Sequence, residues 1–167
     1  MKLKARLIIL GLCNFSSAFA SLSPYYIEKV AHTEQVPPNL LRTIALVESG
    51  VEGLIWPWTV NVRGKAHYFK TRLEAENFLN KCLQKGITNI DVGCMQINWH
   101  WHQDNFNHPK ELLSPEVALP YAASLLRDHQ ERTGSWMKAA LLYHSKSEEK
   151  QALYKTRLLS KLKVKAL

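Results

Sequence analysis

The chain has 167 residues, of which 46% are apolar and 22% are charged, and its formal net charge is +8. These values are typical of a globular protein, and the length suits a single domain that buries a core without metals or disulfides. They exclude an intrinsically disordered chain and a collagen-like repeat.

The first twenty residues have the pattern of a secretory signal peptide. The bases Lys2, Lys4 and Arg6 precede an apolar run over residues 7–15. That run is too short to span a bilayer, and Ala18-Phe19-Ala20 has the small-x-small form of a cleavage site. We therefore predict that residues 1–20 are removed on export.

The mature protein is predicted to comprise residues 21–167, as one periplasmic or secreted domain. Leu12 precedes Cys13 at the place where lipoprotein processing requires a small residue, so we expect no lipid anchor. Loss of three basic and no acidic residues lowers the formal charge from +8 to +5. No later segment is apolar over a membrane-spanning length.

Two cysteines remain in the mature chain, Cys82 and Cys94. An even count in an oxidising compartment favours a disulfide, whereas the spacing alone is equally compatible with two separate buried thiols. Their spacing does not suit a metal site.

A helix is predicted from Ser23-Pro24 to about Gln35, and a second helix begins at Pro38, since proline is favoured in a first helical turn. Glu48 falls in the last turn of the second helix, before Gly50 stops it. Its side chain projects from the apolar stripe formed by Leu40, Leu41, Ile44, Ala45 and Val47.

A carboxyl group on an apolar face loses hydration and keeps its proton to higher pH than a free glutamate. Such a group can act as a general acid near neutrality. The alternative is an exposed glutamate at a frayed helix end.

Residues 59–62 and 66–69 flank the turn Arg63-Gly64-Lys65 and predict a small hairpin, the only strand signal in the chain. Thr71 and Glu74 then form a capping box that opens a helix over residues 72–85.

Residues 87–108 interleave amides, aromatic residues and histidines without a helical or strand period, which favours a site lining over a packed face. Zinc binding is one alternative for the histidines in this stretch, His100, His102 and His108. The tryptophans could pack in the core or stack on sugar rings; they are Trp56, Trp58, Trp99 and Trp101.

Further helices are predicted over residues 115–133, from Ser135 onwards, and from Glu148 to the end. The last is basic and rich in leucine. Its bases are predicted to form a solvated face, and they are Lys155, Arg157, Lys161, Lys163 and Lys165.

Three stretches occur in the order that characterises one enzyme family: Glu48-Ser49-Gly50, the stretch 91–98 (Asp-Val-Gly-Cys-Met-Gln-Ile-Asn), and the stretch 140–145 (Ala-Leu-Leu-Tyr-His-Ser). Together they resemble the motifs of lytic transglycosylases of glycoside hydrolase family 23. This resemblance implies a mainly helical, α+β lysozyme-like domain with one small β-hairpin.

The resemblance also implies an activity. Glu48 would be the single catalytic acid and base, cleaving the β-1,4 bond between N-acetylmuramic acid and N-acetylglucosamine and leaving 1,6-anhydromuramic acid ends. The implied substrate-binding residues are Ser49, Gly93, Met95, Gln96, Asn98 and Tyr143, with the Tyr143 hydroxyl near the catalytic carboxyl. His144 stands where many relatives have asparagine, and Cys94 where leucine is frequent.

No cofactor and no metal are implied, and the expected partner is the glycan strand of peptidoglycan, in wall remodelling or with a secretion or conjugation apparatus. Nucleic acid is not expected as a partner of an exported chain without a dense basic patch. Two alternatives to this activity remain: a hydrolytic muramidase, in which Asp91 would be the second carboxylate, and a non-catalytic peptidoglycan-binding scaffold.

Overall fold

The computed structural model describes residues 22–163, so the predicted signal peptide lies outside the described residues. These residues form seven α-helices: α1 (Pro24–Thr33), α2 (Pro38–Ser49), α3 (Arg72–Gln84), α4 (Trp99–His102), α5 (Pro115–Thr133), α6 (Trp136–His144) and α7 (Glu148–Lys163). Short 3₁₀ turns occupy Gln103–Asn105 and Pro109–Leu113. The mainly helical prediction is confirmed.

Helix α2 lies at the centre of the core. Leu41, Ile44 and Ala45 are completely buried, and α2 packs against both α1 and α7. Its predicted start at Pro38 and its end just before Gly50 are confirmed. The apolar stripe that predicted the helix is therefore the surface that the rest of the chain covers.

The strands form two small antiparallel sheets. The larger has the order β4-β3-β5-β6, with β3 Thr59–Val62, β4 Lys65–Tyr68, β5 Ile90–Val92 and β6 Ile97–Asn98. The smaller pairs β1 (Gly50–Val51) with β2 (Leu54–Ile55).

The predicted hairpin is confirmed as β3 and β4, with Thr59 opposite Tyr68 and Val62 opposite Lys65. The prediction that it was the only strand signal is wrong, because β5 pairs with β3 and β6 pairs with β5. Strands of two or three residues are too short to show a period of two.

The structure contains the predicted helix ends, which are set by capping residues close to them in the sequence. The Glu74 backbone N–H donates to the Thr71 hydroxyl at 3.2 Å, while the Glu74 carboxylate accepts from the Lys70 N–H instead of completing the capping box. Gly134 ends α5 in the left-handed conformation at φ +66°.

Helix α7 docks on the core through Tyr154 and Leu158, which are buried, and its neighbours are α2 and α6. Lys155 and Lys161 are exposed, as predicted for a solvated face. Arg157 also bonds to the core, and the side chain of Lys163 and all of Lys165 lie outside the described part of the chain. Within residues 22–163, no helix has both the length and the apolarity needed to cross a bilayer.

Candidate active site

Glu48 lies in the last turn of α2, where its side chain is 13% exposed. Burial raises the pKa of its carboxyl group from 4.5 to about 7. A hydrogen bond from Tyr154 and the charge of Arg157 oppose this rise in pKa, and the charge of Asp91 adds to it. Near neutral pH the group is thus substantially protonated, as a general acid must be.

The direct partner of this carboxyl group is Tyr154 of α7. The Tyr154 hydroxyl donates to Glu48 Oε1 at 2.6 Å, across a sequence separation of 106 residues. Burial and the Glu48 charge raise the pKa of Tyr154 far above its usual value, so the phenol remains a donor. Tyr154 was missed in the sequence, where its only signal is the pairing with Leu158 four residues later on an otherwise basic helix.

The resemblance predicts that the Tyr143 hydroxyl lies near the carboxyl group of Glu48. In the structure this hydroxyl donates to the backbone carbonyl of Met95 at 2.7 Å. Burial raises the pKa of Tyr143 and the Glu48 charge raises it further, so the two groups are neighbours. Tyr143 thus fixes the turn beside the acid, while Tyr154 holds the acid itself.

Two more side chains complete the surroundings of Glu48. The His144 ring stacks flat on Tyr154, with centroids 4.1 Å apart and planes at 2°, and its Nδ1 lies 3.9 Å from Glu48 Oε1. Burial lowers the pKa of His144, and the charges of Arg157 and Lys150 lower it further, which favours the neutral imidazole. Arg157 donates to the Val47 carbonyl at 2.8 Å, at the end of α2.

The turn between β5 and β6 is built by backbone constraints at its two ends. Gly93 has φ +80°, and a Cβ atom there would overlap the Leu112 carbonyl oxygen. Gln96 also has positive φ, at +47°, and its Nε2 donates to the carbonyl of Gly93 at 2.8 Å and that of Thr59 at 3.3 Å. Within residues 22–163 the Gln96 amide oxygen accepts no hydrogen bond and is not a buried unpaired atom, so it is available to a ligand.

A cavity of about 770 Å³ runs beside this turn. Asp91, Gln96, Trp101, Tyr143 and His144 line it. Glu48 is not part of this lining, and its Oε1 lies 3.9 Å from Nδ1 of His144 on the cavity wall. The cavity thus has a free amide acceptor and an exposed aromatic face, and a protonated carboxyl group lies behind one wall residue. These groups suit acid-catalysed cleavage of a hydroxyl- and amide-rich polymer.

The family model for the transglycosylase SLT domain matches residues 25–157. The chain belongs to this family. Its members are lytic transglycosylases, lyases that act on peptidoglycan, and the helical fold with its small sheet is the lysozyme-like fold of the family. Because the substrate lies outside the cytoplasm, so does the site of action. No curated protein and no solved structure gave a significant match.

The predicted substrate contacts of this transglycosylase divide into two groups. Gln96, Asn98 and Tyr143 line the cavity. Ser49, Gly93 and Met95 are buried, and their predicted contact with substrate stays a prediction. In the structure the Ser49 hydroxyl lies 2.9 Å from the Cys94 carbonyl and 3.1 Å from the Ala45 carbonyl, which joins the end of α2 to the turn.

Asn98 is occupied by its own neighbours. Its amide nitrogen donates to Asn89 and to Asp91 at 2.8 Å each, and its oxygen accepts the Trp101 N–H at 3.3 Å. Asn98 therefore orients Asp91 and caps the start of α4 through the backbone N–H of Trp101, the third residue of that helix. Burial raises the pKa of Asp91, while the bond from Asn98 lowers it.

The tryptophans have separate positions. Trp101 is 77% exposed and lines the cavity, whereas Trp99 is buried in the core. Trp56 donates to the Phe69 carbonyl at 2.7 Å, and Trp58 packs against the core. Of these four residues, only Trp101 offers an exposed face to the groove.

The disulfide predicted between Cys82 and Cys94 is not formed in the structure, where both are free and buried. Cys82 lies on α3 and Cys94 in the turn after β5, and the even count could not show whether these elements bring the thiols together. Burial raises the pKa of Cys94 to about 12 and also raises that of Cys82, so both thiols stay protonated.

The three histidines considered for zinc have different partners. His102 Nδ1 lies 2.8 Å from the Tyr121 hydroxyl, His108 accepts the Lys110 N–H at 3.1 Å, and His100 lies 3.4 Å from the Thr88 hydroxyl. The described part of the chain contains no group of three histidine, cysteine or acidic residues placed to hold a metal.

Proposed function

We propose that this transglycosylase cleaves the β-1,4 bond between N-acetylmuramic acid and N-acetylglucosamine, with Glu48 as its single acid and base. The observation that carries the proposal is the buried carboxyl group of Glu48, whose pKa burial raises to about 7 and which lies 3.9 Å from His144 on the cavity wall. It can supply a proton near neutrality and then act as a base once that proton has left.

In the first step, Glu48 donates its proton to the bridging oxygen as the bond from that oxygen to C1 of the muramoyl residue breaks. The new carboxylate keeps the hydrogen bond from Tyr154 at 2.6 Å. A charge-assisted bond of this kind is stronger than the bond to the neutral acid, so it stabilises the ion as it forms.

In the second step, the carboxylate removes the proton of the C6 hydroxyl of the same residue, and the C6 oxygen bonds to C1. The net change moves one proton from the C6 hydroxyl to the leaving oxygen and consumes no water. A second carboxylate is not needed, in contrast to glycosidases that activate water or form a glycosyl-enzyme. The acceptor oxygen of Gln96 and the face of Trp101 are placed to hold the sugars.

The decisive test is mass spectrometry of the sugars released from purified peptidoglycan. Products one water lighter than those of a hydrolytic muramidase are expected from the wild-type protein and none from Glu48→Gln. The matched control is Glu28→Gln, an exposed glutamate on α1, which should give the wild-type products.

Two other results would replace the proposal. Hydrated products would indicate a hydrolytic muramidase, and Asp91→Asn would then be the next variant, because Asp91 is the other carboxylate of the cavity. Peptidoglycan binding without release of sugars by the wild-type protein would indicate a non-catalytic scaffold.

We propose, from the sequence of residues 1–20, that a signal peptide directs the protein to the periplasm or the exterior. The expected result is an exported chain that begins at Ser21 on N-terminal sequencing. The biological setting is wall remodelling or insertion of a secretion or conjugation apparatus. Deletion of the gene separates the two, through altered muropeptide turnover in one case and loss of secretion or transfer in the other.

A further inference from the structure

One end of the cavity is lined by three cations. Arg132 comes from the last turn of α5, Lys146 from the loop between α6 and α7, and Lys150 from the first turn of α7. All three side chains are exposed. Within residues 22–163, none of them forms an ion pair. We call these three residues the basic end of the groove.

The balance of charge in the groove is positive. Asp91 is the one acid that lines the cavity, and it accepts a hydrogen bond from Asn98. The other acids on α5 and α7 are exposed and do not line the cavity; they are Glu116, Asp128, Glu131, Glu148 and Glu149. A ligand in the groove therefore meets three cations and one occupied carboxylate.

The effect of these cations reaches two histidines of the cavity wall. Burial lowers the pKa of His129, the charges of Arg132 and Lys146 lower it further, and the charge of Asp128 opposes them. Burial likewise lowers the pKa of His144, with contributions from Arg157 and Lys150. Arg132 and Lys146 thus act on one histidine of the cavity wall and Lys150 acts on the other, so the positive potential of the basic end reaches the wall.

We propose that the basic end binds the carboxylates of the stem peptide carried by the muramoyl residue, so that the enzyme selects peptide-bearing glycan. This inference rests on the proposed function, because it takes peptidoglycan as the ligand of the groove. N-acetylated sugars carry no charge themselves, so carboxylates on the muramoyl substituent are the only anions that the polymer offers to these cations. They come from two sources, the stem peptide or, after the peptide is removed, the lactyl group.

Equilibrium binding to Glu48→Gln protein separates recognition from cleavage. Three probes are compared: soluble peptide-bearing glycan strands, the same strands after amidase removal of the peptides, and N-acetylglucosamine oligomers. The test variant carries Lys146→Gln and Lys150→Gln. The control carries Lys155→Gln and Lys161→Gln, which remove the same charge from exposed positions of α7 outside the cavity.

For the test variant we expect affinity for peptide-bearing strands to fall about tenfold, roughly two- to fivefold for each lysine. The control should lose less than about twofold, which is the screened long-range effect of charge. Affinity for the uncharged oligomers should be the same in both variants. Added salt should weaken wild-type binding to peptide-bearing strands and reduce the difference between the variants.

Several results would overturn the inference. Equal losses in the test and control variants would show a general charge effect, and equal losses on the uncharged oligomers would show a packing role. A loss on amidase-treated strands as large as on peptide-bearing strands would assign the site to the lactyl carboxylate. If the wild-type groove bound peptide-bearing strands no more tightly than amidase-treated strands, the inference would be refuted.

The two proposals fail in different ways. Mass spectrometry of released sugars tests the transglycosylase chemistry, whereas binding to the Glu48→Gln protein needs no chemistry. Normal anhydro products together with no preference for peptide-bearing strands would reject only the proposal that the basic end binds the stem peptide. Peptide-selective binding without anhydro products would reject only the proposed reaction.

Discussion

The buried carboxyl group of Glu48 makes a quantitative prediction about stability. We expect Glu48→Gln to be more stable than the wild-type protein at pH 8 and about 1 kcal/mol less stable at pH 4. Glutamine has nearly the same shape, and its amide oxygen can still accept the Tyr154 hydroxyl that now lies 2.6 Å from Glu48 Oε1. The variant therefore mainly removes an ionisation.

The sign of this stability difference follows from the direction of the Glu48 pKa shift. The folded protein holds the Glu48 proton up to a pKa of about 7, against 4.5 for an ordinary glutamate. Between these values the folded state binds more protons than the unfolded state, so its stability falls as pH rises. This loss of folding stability is absent below pH 4.5 and reaches its full size above pH 7.

The difference of 2.5 between the two pKa values corresponds to about 3 kcal/mol, at roughly 1.4 kcal/mol for each tenfold change in proton affinity. The amide nitrogen of glutamine must find its own partner at every pH, which costs the variant about 1 kcal/mol. We therefore expect Glu48→Gln to be about 1 kcal/mol less stable than wild type at pH 4 and about 2 kcal/mol more stable at pH 8, a change of about 3 kcal/mol with pH.

Urea unfolding of wild type, Glu48→Gln and Glu28→Gln at pH 4, 6 and 8 measures this difference directly. Glu28 is exposed on α1, so its variant should follow wild type at every pH. A free-energy difference between Glu48→Gln and wild type that is the same at pH 4 and pH 8 would refute the reasoning. It would mean that Glu48 has no raised pKa in the folded protein.

Three further predictions address the tyrosine, the turn and the groove. Tyr154→Phe keeps the ring that stacks on His144 but removes the hydrogen bond that lowers the Glu48 pKa. The alkaline limb of the pH profile of kcat/KM should therefore move up by about one pH unit. An alkaline limb at the wild-type pH would contradict this prediction. Gly93→Ala should destabilise the protein by more than about 3 kcal/mol in urea unfolding, because its Cβ meets the Leu112 carbonyl. Gly86→Ala, also at positive φ but in open space, should lose only about 1–2 kcal/mol; similar losses would show that backbone strain alone matters. Trp101→Ala should raise KM about fivefold with kcat unchanged if its exposed face stacks on sugar, and an unchanged KM would exclude that role.

The part of the site that sequence could predict is the part made by local rules. The apolar period of α2, its proline start and the glycine after Ser49 placed Glu48 in the last turn of a buried helix, and the structure retains all of these features. Each depends on residues within a few positions of one another. Helix boundaries and the position of the acid follow from such short-range signals.

The part that could not be predicted depends on contacts between distant residues. Nothing near Tyr154 in the sequence indicates that its hydroxyl reaches Glu48, since the 106 residues between them contain most of the fold. The same limit applies to the buried Ser49 and Met95, which sequence could place near the groove but not behind its surface. For Cys82 and Cys94, the even number of cysteines suggested a disulfide, but the sequence did not show how far apart the two thiols lie.

The acid that we propose for this enzyme depends on tertiary structure, because the raised pKa of Glu48 comes first from burial. The two α7 side chains act against that burial, since the Tyr154 hydrogen bond and the Arg157 charge both lower the Glu48 pKa. Burial therefore stabilises the protonated carboxyl group, whereas α7 stabilises the carboxylate. Ionisation of Glu48 in alkaline solution should remove the proton that the proposed reaction needs, but it should strengthen the hydrogen bond from Tyr154.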